Sequence, residues 1–528
     1  MADSRREFLR FAGLGVTGAA LAPVSPSAAQ VAISRRVRSK GTFVVTDFGA
    51  AGDGKTIDSP AINRAIEAAA AHGGTVVFPA GTYASYSIRL KSNVALVLEQ
   101  GAVLLAAEGP DYDVAEPDTP WNVFQDYGHN HWHNSLLWGE DIENISITGP
   151  GRIWGKGLVK DYGPPPNSTN PRAGNKSIAL KNCHNVILRD FSILEGGWFA
   201  VLATAVDNLT IDNLKIDTNR DGIDIDCCRN VHVSNCTINS PWDDAIVLKS
   251  SYTLGYLRAT ENVTVANCYI SGYWEIGSVL DGTWKKYPPD ATIFRTGRIK
   301  FGSESNGGFI NIAISNCVLE GCGGLLLETV DGAICEDIAI TNITMRNITV
   351  APFFMRLGDR LRGPKATTKV GALRRVLIGN IVCWNTASKI CSILSGIPGY
   401  ELEDVTIHDV IVVCEGGGTA DQMNIQLPED ASKYPEPDMF GATPAFGFYL
   451  RHIHGISMNN ITIRTIAADT RPAFALHDVG EARFFQIKAT QPGGSPVFSL
   501  TSATDFSVRY SNGIPDTHLA LAESTDLP

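Results

Sequence analysis

The chain has 528 residues, 44% of them hydrophobic, and 51 glycines, so it can bury a large core while turning often. That length ordinarily implies several domains, but an internal repeat overrides the rule. The net charge of −11 offers no basic surface to nucleic acid, and it repels an acidic polymer unless cations gather where the polymer binds.

At the N-terminus, Ser4-Arg5-Arg6-Glu7-Phe8-Leu9-Arg10 precedes a Gly/Ala-rich apolar run that ends near Ser27-Ala28-Ala29. Paired arginines, an apolar stretch and a small-residue exit together resemble a twin-arginine export signal. Residues 1–30 are therefore expected to be an address outside the fold, and the protein to be periplasmic or extracellular. No later apolar run is long enough to span a bilayer.

Residues 41–110 are expected to form a cap and the first coils. Val44 to Phe48 is strand-like, and the glycine-rich stretch to Lys55 lacks the Gly-Lys-Ser/Thr ending of a phosphate loop. Asp58 and Pro60 then open an alanine-rich helix to about His72, suited to covering an open apolar end. Further on, His129, His131 and His133 alternate around Trp132. On a strand they share a face, but no carboxylate or cysteine partners are evident, so a sugar-binding wall containing His131 and Trp132 is expected rather than zinc.

The repeat begins at Asn185-Val186-Ile187-Leu188-Arg189-Asp190 and returns at Asn208, Asn230, Asn262, Asn311 and Asp337, with weaker copies after Val376, Asp404 and Gly455. Each unit alternates apolar and polar side chains and ends in Asn or Asp, residues that tolerate left-handed backbone. Its shortest spacings, 22 and 23 residues, suit one coil of a parallel β-helix, whose stacked turns form an asparagine ladder. Cys236, Cys268 and Cys317 share one place in the repeat and are expected to stack as small apolar residues; Cys227-Cys228 has no such explanation.

Within the repeats lie Asn219-Arg220-Asp221-Gly222-Ile223-Asp224 and Trp242-Asp243-Asp244-Ala245-Ile246-Val247-Leu248-Lys249-Ser250. Consecutive coils bring Asp221 alongside Asp243 and Asp244, and three carboxylates in one patch suit acid/base cleavage of a glycosidic bond. Each of these aspartates is also a common turn residue.

These two motifs resemble the polygalacturonase family of glycoside hydrolases, family 28, over roughly residues 41–480. The first matches the family's Asn-Thr-Asp-Gly with Arg220 as the one change. Supporting likeness lies in Leu137 to Glu140, Gly151 to Gly157, Asp331-Gly332, Phe354 to Gly358 and Tyr434 to Gly441, the last two like a divergent bacterial branch. The resemblance implies an all-β, right-handed parallel β-helix of the pectin-lyase-like type over residues 31–510, with 511–528 as a tail. It implies Asp243 as general acid, with Asp221 and Asp244 deprotonating a water, and inversion at the sugar. It also implies a pectic polysaccharide or oligosaccharide as substrate, with no cofactor or metal, no nucleic-acid partner and a monomeric enzyme.

Two departures bear on recognition. The family's Gly-His-Gly position reads Gly302-Ser303-Glu304-Ser305-Asn306-Gly307-Gly308, and its Arg-Ile-Lys clamp for a galacturonate carboxylate falls on Leu326-Leu327-Glu328. Arg298-Ile299-Lys300 spells the clamp but precedes Gly302, so the role is not carried onto it. A neutral sugar such as rhamnose would explain the missing clamp. Substrate contacts are expected from Asp224, Lys249, Lys300, Glu304, Asn306, Arg356, His131 and Trp132. The long interval from Tyr252 to Arg298 is expected to wall one end of the groove and favour exo cleavage. The rival readings are a calcium-dependent pectic lyase using Asp221, Asp224 and Asp226, and a non-catalytic carbohydrate-binding β-helix.

Overall fold

The computed structural model describes residues 41–126, 128–160, 170–490 and 494–528; the export-signal segment, residues 1–30, lies outside the described residues. Residues 41–528 form one unit, a parallel β-helix with very little helix. Each coil contributes short strands that pair in parallel with the coils before and after, and strand alternation sends every second side chain inward.

One face of the solenoid carries the site. Its strands are β1 (Lys176–Lys181), β2 (Phe199–Thr204), β3 (Asp221–Asp226), β4 (Ile246–Ser250), β5 (Ile299–Ser305), β6 (Leu325–Thr329), β7 (Phe353–Leu357), β8 (Ser392–Ser395) and the start of β9 (Phe448–Thr465). Inward, Ile225, Leu248, Phe301, Leu327, Met355, Leu394 and Leu450 stack in register. Outward, Asp224, Val247, Lys300, Leu326, Phe354, Ile393 and Tyr449 form the neighbouring row.

The expected asparagine ladder is present twice. Asn185, Asn208, Asn230, Asn262 and Asn311 each donate a side-chain amide hydrogen bond to the residue one coil earlier, at 2.7–3.2 Å. A second column five residues on links Asn213 to Asp190 and Asn235 to Asp212 at 2.9 and 2.7 Å. Nearly all these residues have positive φ, between 54° and 73°, which Asn adopts at less strain than other side chains. The turn residue therefore supplies both the corner and the bond between coils.

The helix expected from Asp58 spans Ser59–Ala70 and buries Ile62, Ala65, Ile66 and Ala69 against the first coils. Asp58 does not cap it with its side chain; its carboxylate instead accepts hydrogen bonds from the amides of Ala51 and Gly52, at 2.6 and 3.0 Å, and ties down the glycine-rich loop. All eleven cysteines are buried and unpaired, Cys236, Cys268 and Cys317 among them. Cys227 sits at a left-handed corner, φ 56°, where its thiol donates to the Ser251 carbonyl. The C-terminal residues differ from the expected tail. Thr517–Leu527 is a strand, β11, that pairs antiparallel with β10 (Phe498–Arg509) and so covers an edge that β10 would otherwise leave unpaired.

Candidate active site

Asp221 begins β3, and Asp243 and Asp244 lie in the turn just before β4, so one edge of the sheet presents all three. Oxygens of the three carboxylates lie within 4.8 Å of one another. The Asp244 amide donates to Asp221 Oδ1 and to Asp243 Oδ1, both at 3.1 Å, which fixes the cluster to the backbone. Asp221 and Asp244 are buried, whereas Asp243 lines a pocket of about 420 Å³ together with Trp242, Phe294, Arg295, Arg298, Lys300, Tyr434 and Glu436. Burial, then the charges of Asp224 and Asp243, pushes the Asp221 carboxyl well above the usual range. Burial raises Asp244 too, against the pull of Arg298 and Lys300.

Arg298 Nε donates to Asp244 Oδ1 at 2.5 Å, while its two terminal nitrogens grip Glu436 at 2.7 and 2.5 Å. Lys300 lies 3.0 Å from Glu436, 3.6 Å from Glu328 and 3.8 Å from Asp244. Arg298 and Lys300 precede and enter β5, one coil past Asp244, so their cations reach the cluster despite preceding Gly302 in sequence. Glu436 and Arg220 were not singled out as site residues by sequence. Glu436 belongs to the Tyr434 to Gly441 motif but is 138 residues from Arg298. Arg220, the departure within the aspartate motif, places a guanidinium nitrogen 3.5 Å from Asp243 Oδ2 and rests over the Trp198 ring.

A second charged cluster lies at the far end of the same strands. Lys249 is buried 3.1 Å from Glu304, 3.8 Å from Asp224 and 3.2 Å from His129 Nε2. Arg362 bridges Glu304 and Asp126 at 2.7 and 2.6 Å. Despite burial, Lys249, His129 and Arg362 hold Glu304 well below its usual range. Lys249 and Glu304 thus pair with each other under the loop carrying His129. The Gly302 segment diverges because it is a bulge: Leu248 pairs with Phe301 and Ser250 with Ser305, leaving Lys249 opposite three residues.

Four expected substrate contacts lie elsewhere. Arg356 is buried, with its guanidinium donating to Ser395 Oγ and to the carbonyls of Gly396 and Glu429, which makes it a tie between coils and the covering loop. Asn306 donates to backbone carbonyls of Asp331 and Arg362 and shapes a turn. Trp132 packs with Trp198, Phe199 and Leu202 and donates its indole N–H to Thr204. His131 is buried, and the histidine segment is turn rather than strand. His133 does have carboxylate neighbours, Glu140 at 2.9 Å and Glu116 at 3.5 Å, but Lys181 already pairs Glu140 at 2.7 Å.

Beyond Lys300 the outward row is covered. Leu326, Phe354, Ile393 and Tyr449 are buried in an apolar cluster with Leu427, Phe440 and Ala445 from the segment before β9. That segment covers the outward row from the coil after Lys300 onward.

Fold and site together define a parallel β-helix with a tight aspartate trio at one strand edge, beside a pocket that Asp243 lines. Residues 122–351 match the model of Glycosyl hydrolases family 28, so this part of the chain is similar to that family. Residues 42–108 match Rhamnogalacturonase A/epimerase, pectate lyase-like. A probable polygalacturonase of Vitis vinifera is 28% identical over 235 residues, 42% of this chain and 46% of that protein. The exo-poly-alpha-D-galacturonosidase of Dickeya chrysanthemi is 27% identical over 215 residues, 39% of this chain and 34% of its own length. The chain thus spans less than half the length of these curated relatives. The fold is shared with the exopolygalacturonases of Thermotoga maritima (TM-score 0.59, 18% identity, 81% of this chain and 92% of that one) and Yersinia enterocolitica (TM-score 0.61, 19% identity, 84% and 78%).

Proposed function

We propose that this protein hydrolyses α-glycosidic bonds in a pectic polysaccharide, taking sugars from a chain end. The observation that carries the reading is the Asp221, Asp243 and Asp244 cluster, within 4.8 Å, with Asp243 at the pocket wall. Asp243 gives its proton to the glycosidic oxygen. Asp221 and Asp244 share the water: an oxygen accepting from one water lies ~2.8 Å from it, so two oxygens bridged by that water sit ~4.5–5 Å apart. Arg298, donating to Asp244 Oδ1, stabilises the ionised form of Asp244 that a base requires. The oxygens are closer than the ~6.5–9.5 Å typical between inverting carboxyls, which makes stereochemistry the sharpest test. Proton NMR of the first-formed sugar is expected to show the inverted anomer; the retained anomer sinks the water-sharing assignment.

Exo action is supported by the covered row from Leu326 to Tyr449 and by Phe294 and Arg295 of the long insertion on the pocket wall. Monomeric or single-sugar products at early times are expected from a pectic polymer; a ladder of long oligomers refutes it. The lyase reading is disfavoured because Asp226 is engaged by the Ser251 amide and hydroxyl, at 2.8 and 2.6 Å, and Lys249 stands beside Asp224. Chelator-insensitive activity without ultraviolet-absorbing unsaturated products separates the two. Export by the Ser4 to Arg10 signal and a monomeric state complete the proposal. Retention of an Arg5→Lys, Arg6→Lys double variant in the cytoplasm tests the first, and sedimentation the second.

A further inference from the structure

The pocket wall carries three cations of unequal standing. Arg298 is saturated by Asp244 and Glu436, and Lys300 is surrounded by Glu436, Glu328 and Asp244. Glu328, buried with no hydrogen bond to either carboxyl oxygen, lies 3.6 Å from Lys300. Neither cation has charge to spare for a ligand. Arg295 differs. It makes no ion pair among the described residues, its Nε is buried without a hydrogen bond, and its one side-chain hydrogen bond is a 3.5 Å approach to the Pro288 carbonyl.

The backbone holds Arg295 at the pocket deliberately enough to cost energy. Its φ is +53°, a left-handed conformation that a non-glycine residue adopts at about 1 kcal/mol or more. Two residues on, the Gly297 amide donates to the carbonyl of Asp243 at 2.9 Å, and Thr349 Oγ1 donates to the Arg295 carbonyl at 3.2 Å. The carbonyl of the residue proposed as general acid is thus tied to the short segment that carries Arg295.

We propose that Arg295 is the residue that binds the carboxylate of a uronate sugar in the pocket beside Asp243. This rests on the hydrolase reading for its substrate class. A guanidinium with free donors meets a carboxylate through two parallel hydrogen bonds, which a neutral sugar's hydroxymethyl group cannot match. The loss of cations at 326–328 favoured a neutral sugar from sequence alone; the pocket regains a cation from the insertion that follows β4, a different part of the chain.

The test uses the full-length protein with two matched ligands, oligogalacturonate and the same oligomer with its carboxyls chemically reduced. Wild type is expected to show kcat/KM at least tenfold higher on the acidic oligomer. Arg295→Ala is expected to raise KM for it by 10–100-fold with kcat within about threefold, and to leave the reduced oligomer within threefold. Arg295→Lys is expected to fall between. Calorimetric binding of both oligomers to Asp243→Asn proteins, with and without Arg295→Ala, reads the same preference without turnover. A protein that binds with this preference but hydrolyses neither oligomer refutes the hydrolase reading and leaves Arg295 in place. An acidic-to-neutral ratio unchanged by Arg295→Ala, or a wild-type preference for the reduced oligomer, overturns the assignment.

Discussion

Replacing Arg298 with methionine removes one buried charge from between two carboxylates while keeping most of the side-chain volume. At a charge separation of ~4 Å and an effective dielectric constant of ~20, each pair is worth ~4 kcal/mol. Arg298 contacts Asp244 at 2.5 Å, so Asp244 loses most of one such hold. Lys300 remains 3.8 Å away and retains part of it, so the Asp244 carboxyl, already raised by burial, rises further. The proposed role requires Asp244 ionised, so the acidic limb of kcat/KM against pH is expected to move upward. Glu436 is left beside Lys300 alone, and breaking a buried ion pair costs ~3–5 kcal/mol of folding stability. Arg298→Lys restores charge without the fork and is expected to shift the limb less. The assay is a pH profile on a defined oligosaccharide, with urea unfolding of the same proteins. A folded Arg298→Met protein whose acidic limb coincides with wild type refutes the role given to Arg298 and Asp244.

Asp243→Asn is expected to lower kcat by ~10²–10⁴-fold, the range for a positioned proton donor, with substrate affinity within a few fold by calorimetry. Arg298 and Lys300 pull Glu436 down to about 2 against the upward push of burial. Its folded pKa is depressed, so its stabilisation of up to ~3 kcal/mol is complete above about pH 5 and lost as pH falls toward 2. Glu436→Gln should therefore be less stable than wild type at neutral pH, with the difference shrinking through that window in acid-unfolding experiments. In the ladder, Asn208→Ala removes a 2.9 Å bond to Asn185 and forces alanine to φ 56°, for a combined loss of about 2 kcal/mol by urea unfolding. Asn208→Gly, which relieves the backbone, is expected to lose about half of that.

The coils and the aspartates were legible in sequence because both are local. A side chain's face on a strand follows from a two-residue alternation, and a corner from an Asn at fixed offset, so a repeat near 22 residues determines the solenoid and stacks Asp221 on Asp243 and Asp244 by itself. The same locality predicted the Ser59–Ala70 cap and the buried cysteines. It failed where partners come from distant loops. The sequence marks Lys249, Glu304 and Arg356 as substrate contacts, but loops with no fixed period fold over them and pair them with other groups. Glu436 reaches Arg298 across 138 residues, and Arg295 reaches the pocket from an insertion longer than a coil. The sequence by itself determined the solenoid and its acid cluster, through short-range periodicity. Only the tertiary structure decided which charges remain available at the pocket, because neutralisation depends on distances between segments that no repeat relates.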